Sequence, residues 1–330
     1  MALILSRDDL YRCLDMTSAI AAMRLAFNAL STGEAQAPQR QAIDLSEQGL
    51  ALLMPSLLQT GEQRSFGLKL ITVIPHNPLR NLPLLSATVL LLDATTGRTL
   101  AIMEGNWLTA MRTGAVSGLA TDLLARQDSD VLALFGAGTQ ASTQVLAIHT
   151  VRPLREVRVV NRSDEHYSQL VAKLETMLRP NCPLIRRATT SGEALAGASL
   201  VACATTSRQP LFPRNEVEAG THINAIGAFT PQMCEVDPET LAHARIVVDQ
   251  REAALTEAGD LLQALAAGFI PGPETWIELG DVVTGRQAGR ATDDEITFFK
   301  SVGVAVQDVA AALYVYRKAR ELGVGIEVEV

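Results

Sequence analysis

An excess of basic charge, a cysteine framework and a long apolar run are all missing from this 330-residue chain, and each absence excludes a class of function. Lysine and arginine number 28 against 36 aspartates and glutamates, a net charge of -8, so the broad basic face that a nucleic-acid partner needs is not expected. The longest near-apolar stretch, 82–92, is broken by Pro83, Ser86 and Thr88. It falls far short of the roughly 20 residues of a membrane helix. The N-terminal dozen residues carry Arg7, Asp8 and Asp9 where a signal peptide would have its apolar core. The four cysteines (Cys13, Cys182, Cys203 and Cys234) form no CxxC pair and read as reduced thiols of a cytoplasmic protein. The five histidines show no HExxH or paired spacing, so no metal site is expected.

What is present fits a globular chain with a substantial core: 48% hydrophobic and 19% charged residues. The length suggests two domains. Residues up to about 35 read as one helix, capped by Asp15 or Thr17 and stopped by Gly33, with Ile20, Met23, Phe27 and Leu30 at helical spacing. A β-rich stretch follows over 40–45, 50–54, 65–74, 87–93 and 98–103, then a long helix from Asn106 or Trp107 to about Arg126. Beyond it, short apolar strands (131–135, 157–160, 199–203, 223–226 and 246–248) alternate with helical segments at 139–149 and 164–178. That alternation predicts βαβ units and a parallel sheet. A last helix, 304–322, returns to the first part of the chain. The fold class expected is α/β: a Rossmann-type dinucleotide domain over 116–304, inserted into an α+β domain built from 1–115 and 305–330.

The strand Val131–Phe135 ends in Gly136-Ala-Gly138-Thr-Gln-Ala141, a GxGxxA turn followed by a helix. Gly136 suits the tight turn, Gly138 lets backbone approach a pyrophosphate, and Ala141 lets the helix lie close to the strand. The helix N-terminus then faces the phosphates. An NAD site usually ends its second strand in a carboxylate that binds the ribose 2′-hydroxyl. Here that strand ends in Asn161-Arg162-Ser163, and Arg162 and Ser163 can hold a 2′-phosphate instead, which favours NADP(H) over NAD(H).

Upstream, Lys69 interrupts the apolar segment Gly67-Leu-Lys-Leu-Ile-Thr-Val-Ile74. It is either an edge-strand lysine in solvent or a desolvated lysine with a lowered pKa. Arg112 lies on the apolar helix that leads to the dinucleotide domain, and Arg40 opens an early strand. Together such arginines can clamp a carboxylate.

The segments Gly67-Leu-Lys69, Leu108-Thr-Ala-Met-Arg-Thr-Gly114, Gly136-Ala-Gly-Thr-Gln140, Asn224-Ala-Ile-Gly-Ala228, Glu257-Ala-Gly-Asp260, Glu278-Leu-Gly-Asp281 and Lys300-Ser-Val-Gly303, with Gln307-Asp308 after it, resemble the ornithine cyclodeaminase/mu-crystallin family in order and spacing. The resemblance implies a homodimer whose first domain carries the interface and the substrate site. It also implies hydride transfer between a nicotinamide and an amino acid or its imine. By position, Arg40, Lys69 and Arg112 match residues that hold the substrate carboxylate, and Lys69 matches a residue with a proton-transfer role. Arg112, Thr113, Gly136, Gly138, Thr139, Gln140, Asn161, Arg162, Ser163, Thr205, Ala225, Gly227 and Ser301 match cofactor contacts.

One departure bears on the reaction. The cyclodeaminases carry an acid shortly after the glycine matching Gly227, and here that position is Phe229. A phenylalanine can neither deprotonate an amine nor pair with an ammonium. The nearest carboxylates downstream, Glu235 and Asp237, are not expected to reach back. Phe229 instead suggests an apolar wall against ring methylenes, and so NADPH-dependent reduction of a cyclic imino acid such as Δ1-pyrroline-2-carboxylate. The other readings are an ornithine or lysine cyclodeaminase, an alanine-type dehydrogenase, and a mu-crystallin-like protein that binds cofactor and small ligand.

Overall fold

A computed structural model describes residues 1–45 and 49–329. The chain divides into two compact units, Met1–Arg112 with Val304–Val330, and Thr113–Gly303. β1 (Ala2–Leu5), α1 (Arg7–Cys13) and α2 (Met16–Thr32) occupy the stretch where a single helix is expected from sequence. The break has local causes. Ser6 and Asp9 cap α1 reciprocally, Ser6 Oγ accepting the Asp9 N–H (3.3 Å) and the Asp9 carboxylate accepting the Ser6 N–H (2.9 Å). Leu14 is extended after α1, and Asp15 starts α2 by accepting the Ser18 N–H at 2.7 Å. Gly33 ends α2 at φ +80°.

The chain continues through β2 (Ala35–Gln36), β3 (Gln41–Asp44), β4 (Leu50–Thr60), β5 (Gln63–Val73), β6 (Leu85–Asp93), β7 (Thr99–Glu104) and α3 (Gly105–Leu124). The second unit contains β8 (Val131–Phe135), α4 (Ala141–Val151), β9 (Glu156–Val160), α5 (Asp164–Met177), β10 (Leu184–Ala188), α6 (Ser191–Leu195), β11 (Leu200–Cys203) and β12 (His222–Ala225). It goes on through α7 (Pro238–Ala242), β13 (Ala244–Val248), α8 (Arg251–Glu257), α9 (Gly259–Ala266), β14 (Ile277–Glu278), α10 (Leu279–Val283) and β15 (Ile296–Lys300). α11 (Ala305–Leu322) and β16 (Ile326–Val328) then complete the first unit.

In the first unit the strands run β16-β1-β7-β6-β5-β4-β2, with β3 also paired to β4. Neighbours are antiparallel except β1 with β7. Side chains alternate between the two faces. Ser65, Gly67, Lys69 and Ile71 of β5 point to the face covered by α11, and a Cβ on Gly67 would come within 2.6 Å of Val309 Cγ2. Phe66 and Leu70 lie on the other face and are exposed.

The second unit is a wholly parallel sheet, β10-β9-β8-β11-β12-β15-β13-β14. The chain winds outward in one direction from β8 through β9 and β10, then crosses to β11 on the other side. That reversal between β8 and β11 is the topological switch point at which open α/β sheets bind ligands. Apolar cores fill both faces, one around Val145, Ile148, Leu170 and Leu174 and the other around Leu261, Trp276 and Phe298. The expected α/β class with a Rossmann-type unit is the class found. Among the described residues no helix is long and apolar enough to cross a membrane.

Candidate active site

In the first unit Lys69 is an interior residue of its sheet, because β5 is paired on both sides, Lys69 facing Met54 of β4 and Val89 of β6. The edge-strand alternative is thereby removed. Lys69 is 1% exposed, and burial lowers its pKa to about 7. The positive charges of Arg112 and Arg40 push in the same direction, while the Asp308 carboxylate opposes them.

Asp308 sits in the first turn of α11, where an acid is favoured by the helix dipole. It bridges the two cations. Its Oδ2 lies 2.6 Å from Lys69 Nζ, and its Oδ1 accepts a hydrogen bond from Arg112 Nε at 3.0 Å. Arg112 Nη1 donates to Gln307 Oε1 at 2.6 Å. The Lys69–Asp308 contact is short but off-axis, so the ammonium lacks a well-aligned acceptor, and Gln307 Nε2 is likewise buried without one. Buried donors left in this way are costly unless a ligand satisfies them. Arg40, half-buried, is close enough for its charge to act on Lys69. The structure therefore brings Arg40, Lys69 and Arg112 together and adds Asp308 and Gln307. In the sequence those two stand out only through the family resemblance. The signal available was a Gln-Asp pair inside an otherwise apolar first helical turn.

In the second unit the glycine turn leaves β8 at the switch point. Gly136 has φ +99°, and a Cβ there would meet Ala204 O at 2.6 Å. Its N–H donates to Val160 O at 2.9 Å, tying the turn to the end of β9. Gly138 has open space where a Cβ would stand, which is what close approach of a ligand to backbone requires. α4 has no side-chain cap at Gln140; its Ala141 N–H donates to Gly138 O at 3.1 Å, and no side chain competes with a ligand at this helix start. The buried Gln140 Oε1 and Ser142 Oγ also have no partner. A pocket of about 300 Å³ opens here, lined by Ala137, Gly138, Thr139, Ser142, His166 and Lys173 among others. These features fit the diphosphate of a dinucleotide.

At the tip of β9, Asn161 Nδ2 donates to Ser163 O (2.8 Å), Ser163 caps α5 through the His166 N–H (3.2 Å), and Arg162 is exposed. Asp164 follows, paired with Arg187 of β10. Thr113 is nearly buried, at 9% exposure, and accepts a hydrogen bond from Gln144 Nε2 on its carbonyl at 3.2 Å. Ala225 is buried inside β12, and the Ser301 hydroxyl donates to Asp249 at 2.8 Å. Phe229 is 47% exposed in the loop after β12.

Glu235 does reach back, contrary to expectation. Its Oε2 accepts the N–H groups of Gly227 (2.7 Å) and Ala228 (3.0 Å), and its Oε1 accepts the Thr205 N–H (2.7 Å) and hydroxyl (2.8 Å). The acid belongs to the architecture of these loops, and its lone pairs are occupied. Among the described residues no cluster of potential metal ligands is found.

The model of the ornithine cyclodeaminase/mu-crystallin family matches residues 2–323. The chain belongs to that family. It is 36% identical to Δ1-pyrroline-2-carboxylate reductase of Bacillus cereus over 329 residues, 99% of each chain. Among solved structures it resembles Δ1-pyrroline-2-carboxylate reductase of Thermococcus litoralis in complex with NADH and L-proline. That likeness has TM-score 0.91 and 37% identity, covering 99% of this chain and 100% of the other. An archaeal alanine dehydrogenase dimer with bound NAD matches with TM-score 0.91 and 35% identity, over 99% of each chain.

Proposed function

We propose that this protein reduces a cyclic imino acid to the cyclic L-amino acid, with Δ1-pyrroline-2-carboxylate to L-proline as the leading case. One observation carries the reading. Lys69 is a buried lysine with a pKa brought to about 7, joined through Asp308 to Arg112 and under the charge of Arg40, arginines suited to a carboxylate. The names of the 36–37% identical relatives agree with it.

Reduction of C=N needs a hydride at carbon and a proton at nitrogen, and a bound dihydronicotinamide supplies the hydride. Arg40 and Arg112 would neutralise the substrate carboxylate, Arg112 turning one edge of its guanidinium from Gln307 while keeping Asp308. Gln307 Nε2 offers one further N–H. With the carboxylate fixed, Lys69 would donate its ammonium proton to the imine nitrogen, making the adjacent carbon electron-poor when the hydride arrives. Holding the reactants in this arrangement offsets much of the entropic barrier. Asp308 would keep the Lys69 proton in place until substrate binds. Cyclodeamination lacks its acid: Phe229 cannot serve, and Glu235 is saturated with donors.

We further infer that NADPH is preferred to NADH. Arg162 and Ser163 stand at the end of β9 where an NAD site would place a carboxylate. The solved relatives hold NADH and NAD, so a titration with both reduced nucleotides decides the point. The chain is proposed to work as a homodimer through the outer face of the first unit's sheet. There Leu53–Leu70, Leu57–Phe66 and Leu68–Leu90 pair across strands, and Phe66 and Leu70 remain 36% and 41% exposed. Four free cysteines accord with a cytoplasmic location.

The test is nucleotide oxidation with Δ1-pyrroline-2-carboxylate, Δ1-piperideine-2-carboxylate, and pyruvate plus ammonia in parallel. Turnover of a cyclic imine well above pyruvate is expected. Preferential turnover of pyruvate would assign an alanine-type dehydrogenase, and ammonia release from ornithine a cyclodeaminase.

A further inference from the structure

The second unit buries three carboxylates at the C-terminal edge of its sheet: Glu235, Asp249 and Asp260, with exposures of 0%, 1% and 0%. The buried cation Lys300 lies with its Nζ 2.6 Å from Asp260 Oδ2. Asp260 Oδ1 accepts the N–H groups of Glu235 (2.6 Å) and Val236 (3.0 Å), fixing the backbone that carries Glu235. Asp249 Oδ2 accepts the Ser301 hydroxyl and the N–H groups of Val302 (2.9 Å) and Gly303 (2.7 Å).

Glu235 has the most telling set of partners. Each oxygen takes two donors, and the two pairs come from different loops, Thr205 after β11 and Gly227–Ala228 after β12. The loops are pressed together at that point. A Cβ on Gly227 would collide with Thr205 O and with Glu235 Oε1. Three of the four donors are backbone N–H groups, which cannot turn to accept a proton. The arrangement therefore requires the ionised carboxylate, although burial raises its pKa and Lys300 only partly opposes that. Removing an ion from water costs several kcal/mol. An amide or a hydroxyl could tie one loop down more cheaply, whereas a carboxylate ties both.

We propose that Glu235 is a positioning residue of the dinucleotide site: it clamps the loops after β11 and β12 at the spacing the nicotinamide half requires, and its buried charge favours the positively charged oxidised ring over the neutral reduced one. This rests on the reading of Thr205 and Gly227 as cofactor contacts. β11 borders the switch point, where Gly136 lies against Ala204, the residue before Thr205. An inward-facing carboxylate also polarises the peptides it binds, directing their carbonyl oxygens away from itself. A negative potential of this kind lowers the cost of the charge that develops on the ring as hydride leaves.

The test compares wild type, Glu235→Gln and Glu235→Asp by nucleotide fluorescence and competition, measuring Kd for NADPH and for NADP+. Folding of each is checked by circular dichroism. Glu235→Gln removes the charge, and NADP+ should weaken on the order of tenfold more than NADPH, the scale of one charge removed from a buried setting. Glu235→Asp keeps the charge but is one methylene too short to span both loops. Both nucleotides should then weaken together with their ratio unchanged. A merely structural glutamate would lower the melting temperature without moving the NADP+/NADPH ratio. A wild-type ratio in folded Glu235→Gln, or wild-type affinities in Glu235→Asp, overturns the proposal. Should Glu235→Gln not fold, Glu235→Asp alone decides the clamp. Wild type that binds neither nucleotide would overturn the cofactor reading itself, a result distinct from intact binding in the variants.

Discussion

Lys69 illustrates how much one residue's surroundings decide. A lysine in water holds its proton far above neutral pH, whereas burial and two nearby arginines bring this one to about 7. Only the ammonium form can donate. The free enzyme carries that form below about pH 7, so kcat/KM for imine reduction should fall about tenfold per unit as pH rises beyond it. A bound substrate carboxylate adds negative charge beside Lys69 and raises its proton affinity, so the alkaline limb of kcat should lie at higher pH than that of kcat/KM. Asp308→Asn removes the carboxylate that opposes the shift, and the kcat/KM limb should move to lower pH. Profiles that stay flat through this range, in wild type and variant alike, would dismiss Lys69 as the donor. Two substitutions separate binding from chemistry. Lys69→Ala should abolish turnover while leaving NADPH binding nearly intact. Arg112→Ala should raise KM strongly, by the roughly 1.5–3 kcal/mol typical of a charged hydrogen bond.

Among the elements, β8 with its glycine turn shows what is legible locally. The apolar run, the glycines and the following helix lie within a dozen residues, and the strand forms over 131–135 as read. Gly136→Ala should cost about 1–3 kcal/mol, because its φ of +99° and the nearby Ala204 oxygen both oppose a side chain. Thermal melting and NADPH titration would both register the change. At the tip of β9, Arg162→Ala should lower NADPH affinity several-fold and leave NADH affinity unchanged. Equal loss for both would remove Arg162 from 2′-phosphate recognition.

β15 shows what local reading misses. Ile296-Thr-Phe-Phe-Lys300 follows a charged turn and ends in lysine, yet every residue of it is buried. The charge is tolerated because Asp260 of α9 meets it, a partner forty positions away that no pattern within the strand announces. Lys69 posed the same difficulty, since its carboxylate comes from α11, near the other end of the chain. β1 is not legible as a strand because four residues, Ala2–Leu5, are too few to show a period of two. Local chemistry reveals turns and caps. Long-range pairing of charges and strands becomes visible only when the chain is folded.

For the whole molecule, the outer face of the first sheet makes a separate prediction. Leu70→Glu puts a charge among the exposed apolar rows, and sedimentation should then show a monomer where wild type is expected to be a dimer. A wild type that sediments as a monomer at micromolar concentration, or a Leu70→Glu variant that remains dimeric, would place the interface elsewhere. Such a change leaves Lys69 and Asp308 untouched, because they lie on the opposite face of the sheet.

α11 follows the second unit directly and supplies Asp308 to a strand made early in the chain. A ribosome therefore releases Lys69 long before its carboxylate partner exists. Until residue 308 emerges, β5 and β6 lack the helix that covers their inner face, and Lys69 lacks the carboxylate that pairs with it. The second unit, continuous in sequence, can complete its parallel sheet first. The unit begun first is thus completed after the one inserted in it, and Lys69 acquires its carboxylate partner only once α11 has been made.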